Sequence, residues 1–80
     1  GTLYGLALAH LQLGRYTEAR RELAGLRDQY PNVIAFHSAL AAAEFGQGER
    51  KLALATFRDA MRLFPRNVPL TVRYAETLMQ

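Results

Sequence analysis

The sequence matches itself after 34 residues. Gly14 and Gly48 stand 34 apart, as do Ala19 and Ala53, Pro31 and Pro65, and Leu6 and Leu40. Ala7, Ala41 and Ala75 carry the match into a third copy, while Leu23 with Phe57 and Leu26 with Ala60 keep apolar character at one interval. A period of this length is one supersecondary unit used repeatedly, each copy too small to bury its own apolar face and covered by its neighbours. The chain reads as one unit over 1–33, a second over 34–67 and the first helix of a third over 68–80. Eighty residues leave no room for a second independent core, so these units are expected to form a single small domain or a piece of a larger one.

Each unit holds two helical patterns. Leu3, Leu6, Ala7, His10 and Leu11 recur at helical spacing from about Thr2 to Leu13 and stop at Gly14. Ala19, Leu23, Leu26 and Tyr30 share a face from about Thr17 to Tyr30, where Pro31 removes the next amide donor. Asn32 is expected to cap a third helix over Val33 to Phe45, with Gly46-Gln47-Gly48 as the following turn. A fourth runs from about Glu49 to Phe64, and Asn67 caps a fifth that tolerates Pro69 in its first turn. No alternating pattern with turn dipeptides suggests a strand. The expected fold is all-α, five helices in stacked antiparallel pairs. Ala7, Ala19, Leu23, Leu26, Leu40, Ala41, Ala53, Phe57, Ala60, Tyr74 and Ala75 are its expected core, the alanines sitting where helices cross.

Gly14-Arg15-Tyr16-Thr17-Glu18-Ala19, with Leu6 and Ala7 before it and Leu23, Leu26 and Pro31 after it, resembles a tetratricopeptide repeat. The second unit keeps Gly48, Ala53, Phe57, Ala60 and Pro65 but has His37 where the family favours a large aromatic, and Arg50 where the first unit has Tyr16. Tyr4-Gly5-Leu6-Ala7, residues 65–70 and Tyr74-Ala75-Glu76-Thr77-Leu78 further resemble the C-terminal repeat domain of bacterial periplasmic zinc metalloproteases of the BepA type. That resemblance implies a periplasmic location and a parent peptidase whose repeat domain contacts substrates and outer-membrane assembly machinery. None of the peptidase's catalytic residues carries over, because His-Glu-x-x-His does not occur in the chain.

The chemistry-bearing residues are sparse. There is no cysteine, so disulfides, thiolate zinc sites and cysteine nucleophiles are excluded. His10 and His37 are 27 residues apart on different helices, and no helix offers two histidines one turn apart for zinc. Ser38 follows His37 directly, but helical neighbours point about 100° apart, and no strand-turn-helix elbow precedes the serine. Gly46 and Gly48 lack the lysine-threonine end of a phosphate loop. The chain is expected to be no enzyme and to need no cofactor, zinc entering only through a metalloprotease parent.

Ten basic residues, nine of them arginine, against seven acidic ones give a net charge of +3. Lys51, Arg58, Arg62 and Arg66 could attract phosphates, yet Glu18, Glu22, Asp28 and Asp59 are interleaved with the arginines, which reads as a solvated outer face. No apolar run approaches the roughly 18 residues of a membrane helix, so no insertion is expected. No charged-then-apolar leader follows Gly1, and any targeting segment is expected outside these residues.

In tetratricopeptide arrays the first helix of each pair lines a concave groove for a peptide or helix. Mapped by that resemblance, the groove here is lined by Tyr4, Leu8, Leu11 and Gln12, then Ser38, Ala42 and Phe45, then Val72, Glu76 and Met79. It lacks the lysines and asparagines that clamp a terminal carboxylate in chaperone-adaptor members. An apolar groove follows, suited to a hydrophobic protein segment, from the same polypeptide or another. The alternative from a different class is an RNA-binding pentatricopeptide-like array, which the basic balance allows and the period of 34 and Tyr16 disfavour. The fifth helix carries Leu70, Val72, Tyr74, Leu78 and Met79 around much of its circumference, Tyr74, Ala75 and Leu78 being its expected inner side. Its other side is expected to stay uncovered when these residues are taken alone, promoting self-association or loose docking of that helix, and to be covered by further repeats in a parent protein.

Overall fold

The computed structural model describes residues 2–80. It contains five helices: α1 Leu3–Gln12, α2 Tyr16–Gln29, α3 Ile34–Gly46, α4 Arg50–Leu63 and α5 Val68–Met79. There is no strand among the described residues.

The 34-residue match is carried into the backbone. After α1 and after α3 the chain turns through a left-handed glycine, Gly14 at φ 77° and Gly48 at φ 84°, where a side chain would be strained. The Arg15 amide then donates to the His10 carbonyl at 2.8 Å, and the Glu49 amide to that of Glu44 at 2.9 Å. These are Schellman closures at equivalent positions. Both second helices end on an amide donated back four residues, Tyr30 to Leu26 and Phe64 to Ala60, each 2.8 Å, just before a proline.

Capping differs between units. Thr2 and Asn67 accept amides three residues on, from Gly5 at 2.9 Å and Leu70 at 3.0 Å. Asn32 does not cap α3: Val33 holds the cap position and no side chain fills it. One period before Asn67 stands Val33, so Asn32 falls one residue too early to reach the first-turn amides. Gly46 is likewise not a turn residue but the last residue of α3. A Cβ at Gly46 would meet ring carbons of Tyr16 at 2.6 Å, so the glycine is there to let the α2 tyrosine lie against the end of α3.

Each helix packs on the next in sequence, and α1 also touches α3, giving a slab of 31 × 26 × 16 Å. Ala7, Ala19, Leu23 and Leu26 form one buried cluster with Ala39, Leu40 and Ala43 of α3. Ala41, Ala53, Phe57 and Ala60 form a second with Leu70 of α5. The inner side of α5 differs from the expectation. Leu70 is the fully buried residue, Tyr74 is half-buried, and Ala75 and Leu78 are exposed. Ala7 and Ala41 are buried by the second helix of their own pair, and among the described residues no such helix lies beside α5, so its alanine is exposed. What packs inward is instead the side that meets α4, the side Leu40 and Phe36 occupy on α3.

Candidate functional site

The outer wall is built by the first helices of the pairs. Between α1 and α3 lies an open hollow of about 370 Å³, lined by Tyr4, Leu8 and Leu11 from α1, Ala35, Ser38, Ala39 and Ala42 from α3, and Arg73 from α5. A second, of about 260 Å³, lies between α3 and α5 and is lined by Ala41, Ala42, Phe45, Arg73, Glu76, Thr77 and Gln80, with Phe57 of α4 as its floor. Ala42 and Arg73 border both, so the two run together as one depression across the wall.

The α1 side of the wall is fixed by aromatic packing. Tyr4 meets Phe36 edge-to-face with centroids 5.2 Å apart, and Phe36 in turn lies 6.2 Å from Tyr30 at the end of α2. Leu8 and Leu11 pack partly on the first cluster and leave the rest of their surface to the hollow. They are core and lining at once, as the tapered space between two crossing helices requires.

Of the residues expected to line the groove, Tyr4, Leu8, Leu11, Ser38 and Ala42 meet in the first hollow, and Ala42, Phe45 and Glu76 in the second. Gln12 is exposed at the end of α1 and borders neither. Val72 and Met79 lie outside both hollows, on the solvent side of α5. On α5 the lining is turned by about one residue, to Arg73, Glu76, Thr77 and Gln80. Arg73 is the feature that sequence reasoning missed. It occupies the place of Ala39 one period earlier, which is buried against the first cluster. An arginine there cannot be buried and extends its head into the seam between hollows. The period itself held the signal, since a charged residue where its equivalent is an inward alanine must emerge nearby.

Polar links hold the pairs together beneath this wall. His10 Nδ1 lies 2.8 Å from Glu22 Oε1, joining α1 to α2. One period on, the hydroxyl of Thr56 donates to the buried carboxylate of Glu44, joining α4 to α3. His37 is buried under the edge of Phe64, and its Nε2 donates to the Pro31 carbonyl at 2.8 Å, leaving Nδ1 buried without a partner. Ser38 faces the hollow instead. At the far end, the Arg50 guanidinium donates to the carbonyls of Thr77 and Leu78 in the last turn of α5, whereas Tyr16, its equivalent one period earlier, lays its ring against Gly46 at the end of α3.

Lys51, Arg58, Arg62 and Arg66 are exposed, with Arg62 3.4 Å from Asp59. They lie away from both hollows. Among the described residues no helix is long and apolar enough to cross a membrane, and no three of the histidines and carboxylates are grouped as a metal site would need.

No curated protein sequence matches the chain. A family model described as tetratricopeptide repeat matches residues 1–43, more than half of it, and covers the glycine turn, the second helix and the alanine crossings of the first unit. With that match, the repeated turns and the stacked pairs, the chain belongs to the tetratricopeptide repeat family.

Proposed function

We propose that this chain is a non-catalytic binding scaffold whose joined hollows on the α1–α3–α5 wall take a hydrophobic protein segment. Tetratricopeptide repeats in general mediate protein–protein interaction, and the finer reading rests on one observation. The hollow lining is mostly apolar, from Tyr4, Leu8 and Leu11 to Ala42 and Phe45, with a single cation, Arg73, and a single anion, Glu76. Such a lining rewards burial of side chains rather than charge, and the Arg73 guanidinium at its border offers N–H donors to a ligand carbonyl. No step of chemistry and no cofactor enters this reading.

Binding of an uncharged apolar peptide, measured at low and high salt, tests it. Its affinity is expected to hold within about threefold across that range, because burial of apolar surface is not screened. Ala42→Asp, at an exposed position bordering both hollows, is expected to abolish binding while leaving helicity intact. An acidic peptide that binds better than the apolar one and is displaced by salt would overturn the reading. Sub-micromolar, salt-sensitive binding of single-stranded RNA would instead favour the pentatricopeptide-like alternative.

The likeness at residues 4–7 and 65–78 supports a finer placement, as the substrate-binding part of a periplasmic zinc metalloprotease. A His-Glu-x-x-His segment in the same gene product carries that placement, and a gene product without one ends it.

A further inference from the structure

The net charge of the chain is gathered on one helix. At about 100° per residue, Lys51, Arg58 and Arg62 of α4 fall within about 40° of one another and span about 16 Å along its axis, opposite the buried Ala53, Phe57 and Ala60. Arg66 follows in the turn after α4, and all four cations are exposed. Asp59, 3.4 Å from Arg62, is the sole acidic residue of α4. The other six basic residues of the chain are matched by six acidic ones, so the whole excess of +3 lies on this ridge. Glu18, Glu22 and Asp28, which alternate with arginines in the sequence, belong to α2 and leave the ridge unneutralised.

The ridge ends in an apolar hollow. Ile34, Phe64, Pro65, Arg66 and Asn67 line an open space of about 340 Å³ between the start of α3 and the turn after α4. Ile34 and Phe64 are half-buried on the second cluster, and Phe64 is held edge-to-face with His37, centroids 5.8 Å apart. Asn67 spends its side-chain oxygen on the Leu70 amide, while Arg66, at the rim, has no ion-pair partner among the described residues. The volume is at the lower end for ligand clefts, which begin at about 300 Å³, and suits one bulky side chain. A following pair of helices reaches neither surface. One period earlier Thr17, Asp28, Tyr30, Pro31 and Asn32 are exposed with α3 and α4 in place. No residue of the ridge or of this hollow lines the two hollows of the α1–α3–α5 wall.

We propose that the outer ridge of α4 docks an acidic protein segment carrying one bulky apolar residue, its carboxylates along Lys51, Arg58 and Arg62 and its apolar side chain in the hollow beside Arg66. Charge complementarity sets the acidic run, and arginine suits it because a guanidinium grips a carboxylate through two parallel N–H donors. The hollow selects a protein over a nucleic acid. A phosphate backbone has no apolar group to place there, and no aromatic residue stands along the ridge to stack bases. Exposed ion pairs alone bind weakly, and burial of the anchor side chain supplies the rest.

The test is anisotropy of a labelled peptide with one glutamate for each cation of the ridge, spaced by serines and ending in phenylalanine, titrated with the 80-residue chain. Saturable binding is expected. It should weaken by about tenfold or more when serine replaces the phenylalanine, when salt is raised, or when the chain carries Arg58→Glu with Arg66→Glu. Both substitutions fall at exposed positions. The methyl resonances of Ile34, the sole isoleucine, should shift with the phenylalanine peptide and stay in place with the serine one. Ala42→Asp should leave this binding unchanged, which separates it from acidic-peptide binding in the wall hollows and so from the groove reading. Absence of saturable binding, equal affinity for the two peptides, or indifference to salt or to the double substitution would overturn the proposal. An unmoved Ile34 methyl or loss of binding with Ala42→Asp would do the same. So would an oligothymidylate of equal length that binds as tightly as the peptide, since the ridge would then serve a phosphate backbone.

Discussion

Two helical glycines that look alike in the sequence have opposite roles. Gly25 in α2 has open space where a Cβ would go, so Gly25→Ala should stabilise the chain by about 0.5–1 kcal/mol through backbone entropy alone. Gly46 has the Tyr16 ring in that space, and Gly46→Ala should cost roughly 1–3 kcal/mol. Urea denaturation of the single and double variants checks the cause: in a Tyr16→Ala background the Gly46→Ala loss should vanish, and an undiminished loss would show that the ring is not responsible. The same physics separates Ala53→Leu, expected to cost roughly 1–3 kcal/mol at a fully buried crossing, from Arg58→Ala on the exposed side of α4, expected within about 0.5 kcal/mol. Equal melting temperatures for that pair would mean the register is wrong. Ala53 was legible from its repeat at 34 residues, whereas the purpose of Gly46 was not, because a glycine that admits a ring from another helix leaves no local mark.

All five helices and their order were legible, since proline, glycine and apolar spacing agree at each boundary. What the sequence did not disclose lies between elements. Asn32 and Asn67 look equivalent, yet a one-residue offset leaves the first without an amide to accept while Asn67 takes the Leu70 amide. Arg50, read as the loss of an aromatic, serves the last carbonyls of α5. Arg50→Ala should speed amide exchange over residues 76–80 and leave α2 unaffected. The Thr56–Glu44 link ties α4 to α3, and with Glu44 only 6% exposed its carboxylate depends on that hydroxyl. Thr56→Val keeps the shape and removes the donor, so a loss of about 1–3 kcal/mol is expected on thermal unfolding. No loss at all would mean that water serves the carboxylate instead.

A molecule 16 Å thin has no centre remote from solvent; its core is a row of seams between successive helices. Stability and binding surface are therefore set by which seams are closed, and the repeat period tells which should be. That explains why burial of the crossing alanine was read correctly at Ala7 and Ala41 and not at Ala75. Ala75 matches Ala7 and Ala41 as a residue, but burial comes from the covering helix, and position in a repeat does not supply one. It also explains the candidate site, where five of the ten expected residues gather in the first hollow, while Val72 and Met79 turn to solvent with the open seam. One substitution made at three equivalent places resolves the whole arrangement: Ala7→Leu, Ala41→Leu and Ala75→Leu, each followed by urea unfolding of the 80-residue chain. The first two should lose roughly 1–3 kcal/mol by overpacking closed seams, and the third should change by about 0.5 kcal/mol or less. Equal losses at all three positions, or none at Ala7 and Ala41, would contradict a stack whose first two seams are closed and whose third is open.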